Sequence, residues 1–234
     1  MTMLCDTVFT RRSVRKYNKI PLEESVLDDI SKYLDDLEST GQMNEPKAGF
    51  EIVGTDKVRG PAPHYILAYC EKDDFAYVNV GYILQKMDLY IQSKGLGSLY
   101  LGVKKPSGAS NEFCIMMAFG KTDVPPRKEE QDFNRLPMTE ISPSDSFIAR
   151  CARVAPSARN SQPWKLIFEE GEVKIEYFGR GIFKGLFRKK LSMIDLGIVT
   201  RHVELGLLKE GKKVTSVVPA SEPDNGFSVT VSFD

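Results

Sequence analysis

Two stretches of the chain repeat each other at a separation of 116 residues. Val78-Asn79-Val80-Gly81 lies over Ile194-Asp195-Leu196-Gly197, Met87-Asp88-Leu89 over Val203-Glu204-Leu205, and Gly95 over Gly211. In each stretch the apolar residues recur at helical spacing and a glycine follows, so each predicts a long helix, over about Phe75–Ser93 and Ser192–Glu210, with a left-handed glycine terminator. At the same separation Phe50 and Ile52 fall on Leu166 and Phe168. The element order repeats as well. Pro21 opens a helix carrying Leu22, Val26, Leu27, Ile30, Leu34 and Leu37, and strands follow at Phe50–Val53 and Tyr65–Cys70. Leu99–Leu101 and the nearly all-apolar Glu112–Phe119 complete the first set. A helix over Ser144–Val154, a hairpin of Trp164–Phe168 and Val173–Phe178 across Glu170-Gly171, and strands at Val214–Val218 and Phe227–Phe233 form the second. A short helix is expected over Asp6–Arg12, and the Pro-led polar run Pro125–Asp132 reads as an extended connection. Both halves thus read helix–strand–strand–helix–strand–strand, which points to an internal duplication, residues 1–143 and 144–234, packed as a pseudo-dimer.

With 234 residues, 41% of them hydrophobic, the chain can bury a core without disulfides or metals. Lys+Arg and Asp+Glu balance at 32 each. Neither half departs far from neutrality, so no nucleic-acid partner is expected. The opening Met1–Asp6 has no basic segment followed by an apolar one, so no export signal is expected there. The apolar run Phe113–Phe119 is far short of the ~20 residues that cross a membrane. The four cysteines form no CxxC pair and the chain has only His64 and His202, which gives no zinc-ligand pattern. These features suit a cytoplasmic protein.

Three polar segments can carry chemistry. In Thr10-Arg11-Arg12-Ser13-Val14-Arg15-Lys16-Tyr17, three guanidiniums and a hydroxyl suit a phosphate, although a solvated basic turn explains them equally. In Ala155-Pro156-Ser157-Ala158-Arg159-Asn160-Ser161-Gln162-Pro163-Trp164, a rigid loop offers amides and side-chain amides to a ring with mixed edges; the bland reading is a helix-to-strand turn with Trp164 in the core. Gly95-Leu96-Gly97-Ser98-Leu99-Tyr100-Leu101-Gly102 follows a helix instead of opening one, so it is no phosphate loop, but its glycines permit close approach of a flat ligand.

Together these segments resemble the FMN-dependent nitroreductase family. Arg11–Tyr17 looks like its RRSxRxF opening and Ala155–Trp164 like its APSxxNxQPW motif. Asn79-Val80-Gly81 with Gly95-Leu96-Gly97 is similar to its central helix and following strand, and Gly120 through Arg135-Leu136-Pro137 resembles its closing basic segment. The resemblance implies an α+β (α/β) fold, a nitroreductase-like three-layer sandwich with a mixed sheet flanked by helices, in two repeated halves.

In an ordinary family member both motifs lie near the start of one chain, and two chains share each flavin. Here the first half keeps the arginines and the second keeps the PSxxN loop. The chain is therefore similar to duplicated single-chain variants, with one FMN expected per chain and a possible monomer. Carried over residue by residue, the resemblance implies that Arg11, Ser13 and Arg15 hold the ribityl phosphate with Arg135 closing on it, Arg12 beside them. Leu99, Tyr100, Leu101 and Gly102 would lie along the isoalloxazine, and Pro156, Ser157, Ala158 and Asn160 would reach the ring from the other half. Replacing Arg11 or Arg135 is then expected to weaken FMN binding with little effect on folding. The activity implied is transfer of hydride from NAD(P)H to the flavin and of electrons onward to a nitroaromatic, quinone or similar small acceptor. No side chain is nominated as an acid or base, since the flavin carries the chemistry. The rival readings are an FMN-binding sensor or storage protein without turnover, and a flavin-free interaction protein. The basic, aromatic stretch Gly179–Lys190 reads as a solvated loop, with a lid that admits a pyridine nucleotide as the alternative.

Overall fold

The computed structural model describes residues 2–41, 43, 47–102, 105–179 and 186–234. Helix α1 (Thr2–Thr7) and helix α2 (Glu24–Thr40) lead into strands β1 (Gly49–Gly54) and β2 (His64–Tyr69). Helix α3 (Asp74–Ser93) follows, then β3 (Gly97–Leu101) and β4 (Phe113–Gly120). The second half runs α4 (Phe147–Val154), β5 (Trp164–Glu169), β6 (Glu172–Tyr177), α5 (Leu186–Lys209), β7 (Val214–Glu222) and β8 (Gly226–Phe233). The periodic segments of the sequence become these elements in the expected order.

Local chemistry sets their ends. The Asp73 carboxylate accepts the Phe75 and Ala76 amides at 2.8 and 3.1 Å, capping α3 where its first four N–H groups have no partner in the helix. Beyond α3 and α5, Gly95 and Gly211 take φ of +76° and +78°, the left-handed terminators that the sequence predicts. The turn at Glu170-Gly171 closes the β5–β6 hairpin with Gly171 at φ +73°.

Two boundaries differ from expectation. The first helix stops at Thr7, whose carbonyl accepts the Thr10 and Arg11 amides. The chain then extends, and Ser13 forms a parallel bridge with Ser98 while the Val14 amide donates to Ser98 O at 2.9 Å. Pairing with a strand 85 residues away overrides the local helical preference of residues 6–12. Helix α5 begins at Leu186, six residues before the expected start. Lys189 Nζ reaches Asp74 at the start of α3 at 2.6 Å, which ties this extra turn to the fold. Residues 180–185 of the expected Gly179–Lys190 loop lie outside the described residues.

Each half contributes one four-stranded sheet, ordered β1-β2-β4-β3 and β5-β6-β8-β7. The order is the same at corresponding elements. Every strand pair is antiparallel, in place of the mixed sheet expected, because β4 and β8 return between the two strands they pair with. The α3–α5 pair packs against both sheets. One apolar cluster runs through α2, both sheets and both long helices, from Leu22 to Val231, and includes Val78, Leu84, Met87, Leu196, Val203 and Leu207. Helix α3 is buried almost all round, as a helix enclosed by other elements must be. Trp164 is fully buried in this core. No helix among the described residues is long and apolar enough to cross a membrane.

Candidate functional site

The extended Ser13–Val14 segment beside β3 brings the first basic motif to one wall of a cavity. The opposite wall is the loop after α4. That loop is held in an uncommon backbone: Arg159, Asn160 and Gln162 have φ of 54°, 57° and 45°, none of them glycine. Such conformations cost on the order of 1–3 kcal/mol each and persist where the surroundings over-determine them. Here they do. Both oxygens of the Asp195 carboxylate accept the Ala158 amide, at 3.0 and 3.1 Å. Ser157 Oγ accepts the Gln162 amide at 2.9 Å, and Gln162 Oε1 accepts the Leu136 amide at 2.8 Å. Asn160 Nδ2 donates to Asn134 O at 2.6 Å, and Arg135 donates to Asn160 Oδ1.

The cavity between these walls measures about 270 Å³, at the small end of ligand pockets. Ser13, Arg15, Leu99, Tyr100 and Gly102 line it from the first half, and Pro156, Ser157 and Ala158 from the second. Eight sequence-nominated residues therefore meet there, although Pro156 lies 54 positions beyond Gly102 and 141 beyond Arg15. A Cβ added to Gly102 would come within 3.3 Å of Leu191, so this glycine keeps the cavity open on the strand side.

Five nominated residues do not line it. Leu101 packs with the cluster that contains Leu99, Tyr17 and Met116. Arg12 donates to Pro125 O at 2.7 Å, and Asn160 is engaged with Asn134 and Arg135. Arg135 also donates to Val154 O at 3.0 Å. Arg11 is 1% exposed and pairs through Nε with Asp88 Oδ2 at 2.9 Å, Asp88 itself being fully buried. Removing Arg11 therefore strips a buried carboxylate of its partner, which overturns the expectation of little effect on folding.

Around Arg11 lies a concentration of positive charge. Arg127 donates to Arg11 O, and Arg127 and Arg135 both lie over the Phe133 ring, at 4.2 and 5.5 Å. Burial, and then the charges of Arg11 and its neighbours, lowers Arg127 to about 10 and Arg135 to about 9. Arg11 Nη2 and Arg135 Nε are buried with no hydrogen-bond partner among the described residues. Unspent buried donors on crowded guanidiniums favour an anion.

A polar network under the cavity joins the two long helices. Tyr100 donates to Gln85 Oε1 at 3.0 Å, and Gln85 Nε2 donates to Asp88 Oδ2 at 3.2 Å and meets His202 Nε2 at 3.0 Å. Burial lowers His202 to about 3, so the ring is neutral: Nδ1–H donates to Cys151 O and Nε2 accepts from Gln85. Gln92 and Ser98 both donate to Asp88 Oδ1. Burial raises Asp195 to about 8, against the opposing Ala158 hydrogen bond.

Sequence reasoning missed what α5 and β4 supply to the cavity: Leu191, Ile194, Asp195 and Ile198, with Ile115. The signal for Asp195 was present as a lone acid in the apolar run Met193–Val199, where an unpaired carboxylate calls for a local partner.

The family model described as "Putative TM nitroreductase" matches residues 3–207. Among solved structures, the chain is similar to a putative nitroreductase from Thermotoga maritima, at 20% identity and a TM-score of 0.68, over 97% of this chain and 92% of that one. A nitroreductase family protein from Clostridium difficile matches at 15% identity and a TM-score of 0.45, over 59% of this chain and 94% of that one. A nitroreductase with bound FMN from Desulfitobacterium hafniense matches at 13% identity and a TM-score of 0.42, over 56% of this chain and 96% of that one. No curated protein matches. The family match covers most of the chain and the fold agrees across nearly all of it, so this protein belongs to the nitroreductase family.

Proposed function

We propose that the chain is an FMN-dependent oxidoreductase that takes hydride from NAD(P)H and passes electrons to a nitroaromatic, quinone or similar small acceptor. The observation that carries this reading is the meeting of Ser13, Arg15, Leu99, Tyr100 and Gly102 with Pro156–Ala158 across one cavity. The residues suit FMN. Among the described residues Arg11 Nη2 and Arg135 Nε are buried donors with no partner, Ser13 and Arg15 line the cavity, and Gly102 leaves room for a flat ring.

FMN, when bound, supplies the two-electron chemistry. Ser13 and Arg15 would hold its phosphate, with Arg11 and Arg135 supplying further positive charge. Leu99, Tyr100 and the Gly102 amide would run along the ring, and the Ser157 and Ala158 backbone would face it from the other half. Asp195 fixes that loop through the Ala158 amide. The apolar side chains Ile115, Ile194 and Ile198 would keep water from the ring. No side chain is assigned a proton transfer.

The same reading takes residues 1–143 and 144–234 as two copies of one unit. The shared sheet order and the reciprocal contacts of the long helices support it. A backbone carbonyl of each helix meets the corresponding glycine of the other, the arrangement of a two-fold dimer. One FMN per chain and a monomer follow. The four cysteines, all buried and none in a disulfide, suit the reducing cytoplasm.

The test is to quantify flavin released from purified protein and to follow flavin reduction by NADH and by NADPH in a stopped-flow instrument. One FMN per polypeptide, reduced by either nucleotide, is the expected result. Bound FMN that neither nucleotide reduces would instead mark a binding protein without turnover, and a colourless protein that takes up no FMN would overturn the reading.

A further inference from the structure

The second half of the pseudo-symmetry has its own cleft. Thr40, Gly41 and Met43 stand 116 positions before Pro156, Ser157 and Arg159, and Thr215 and Ser216 stand 116 after Leu99 and Tyr100. These residues line a cavity of about 350 Å³. It is related to the first cavity by the repeat, yet its chemistry is different. Where the first has Gln85 and His202 beneath it, this one has Arg201 and Lys86 in its wall.

Arg201 is 4% exposed and stacks on the Tyr82 ring at 3.5 Å. It pairs with Glu204, which also accepts the Tyr82 hydroxyl at 3.0 Å. Arg201 Nε is buried and finds no hydrogen-bond partner among the described residues. Lys86 is half-buried 6.0 Å from the Tyr33 ring, and burial, then the Arg201 charge, lowers its pKa against the pull of Glu204 and Asp36. Two cations thus share a wall with a single carboxylate, and one buried donor is unspent. Both conditions cost free energy that an anion would relieve. The Ser216 hydroxyl at the same cavity adds a neutral donor of the kind that completes an oxoanion shell, while the Thr40 hydroxyl donates to Asp36 O at 2.8 Å.

We propose that this second cleft is a binding site for a small oxoanion, a carboxylate or phosphate group on a molecule of about one ring, held by Arg201 and Lys86. It stands apart from the flavin reading, since none of its residues lines the first cavity.

Calorimetric titration of the FMN-saturated full chain with inorganic phosphate and, separately, with acetate at low ionic strength tests the site. Saturable binding of one or both is expected, and the tighter of the two identifies the recognised group. Lys86→Gln should weaken it at least about tenfold, the loss of roughly one charge-assisted contact. Glu204→Gln should tighten it several-fold by removing the competing carboxylate. Arg15→Gln, at the first cavity, should leave it unchanged. Arg201→Gln should abolish it, and if that variant fails to fold, Lys86→Gln and Glu204→Gln still decide. Absence of binding by both anions up to about 10 mM, or binding that neither Lys86→Gln nor Glu204→Gln alters, would overturn the proposal.

Discussion

Gly81 and Gly197 mark where the two long helices touch backbone to backbone. A Cβ on Gly81 would sit 2.0 Å from Ile194 O, and one on Gly197 would sit 1.9 Å from Val78 O. Each contact is the other displaced by 116 positions in the chain. Glycine inside a helix ordinarily costs about 0.5–1 kcal/mol relative to alanine, so its use here at both positions is set by the crossing and not by propensity.

Alanine at either glycine must therefore push the helices apart. Gly81→Ala and Gly197→Ala should each destabilise the protein by about 3 kcal/mol or more, at the upper end of overpacking effects. Urea unfolding would show this as a lower midpoint at unchanged slope. A gain of stability, as helix propensity alone predicts, would show that the helices do not cross this closely.

The Arg11–Asp88 pair supplies a second expectation. Asp88→Ala leaves the Arg11 guanidinium in the core with no carboxylate, and Arg11→Ala does the reverse. Breaking a buried pair from one side costs about 3–5 kcal/mol. Both variants should lose that much by denaturant titration, with Arg11→Ala weakening FMN as well. Arg135→Ala, which loses the Asn134 and Val154 carbonyls, the Asn160 amide and the Phe133 face but breaks no ion pair among the described residues, should cost less stability than Arg11→Ala and still weaken FMN.

Asp195 and His202 predict a pH dependence of the apoprotein with a definite sign. The native state keeps the Asp195 proton up to about pH 8, while the unfolded chain has lost it near its ordinary 3.8. That contribution is complete below about pH 4 and declines as pH rises to 8. The native state refuses a proton at His202 down to about pH 3, whereas the unfolded chain takes one near 6.5, so this contribution is present above 6.5 and declines toward pH 3. Between 4 and 6.5 the two oppose each other. From 6.5 to 8 Asp195 acts alone, and stability should fall by about 2 kcal/mol, at 1.36 kcal/mol per pH unit per proton. Comparison of wild type with Asp195→Asn across that window isolates the effect, and identical slopes would remove Asp195 as its source.

Cutting the chain at 143/144 tests whether the halves can stand alone. The common core spans both, so residues 1–143 expressed alone would expose the flank of α3 around Val78, Leu84 and Met87. Exposed patches of more than a few hundred Å² drive association. The fragment should aggregate and bind no FMN, for it lacks Pro156–Ala158. A soluble, cooperatively unfolding, yellow fragment would contradict the pseudo-dimer reading.

The order of elements was legible because the long helices carry sustained apolar periodicity with a glycine just past the C-terminal end of each, a signal that local sequence contains in full. The site was legible in part. Ser13, Arg15, Leu99–Gly102 and Pro156–Ala158 could be nominated through a family resemblance, and all but Leu101 line the first cavity. The rest depended on long-range packing. Nothing near Arg11 in the sequence says that it will turn inward to Asp88, 77 residues on. The bridge of Ser13 to Ser98 erased a local helix, and the return of β4 and β8 between their neighbours set both sheets antiparallel. Asp195 was visible in the sequence, but its task, holding the Ala158 amide, exists only once α5 lies under the loop.

A protein assembled from two identical chains meets every substitution twice, once in each cleft. On the proposed pseudo-dimer reading, with two units on one polypeptide, a change at Gln85 leaves Arg201 as it was, and a change at Glu204 leaves Asp88 untouched. Each cleft is then open to alteration without consequence for the other. The helix crossing still binds the two halves to a common rule, because Gly81 and Gly197 must both remain small for either helix to approach the other. Independence of the clefts and rigidity of the seam between them are two sides of the same covalent link.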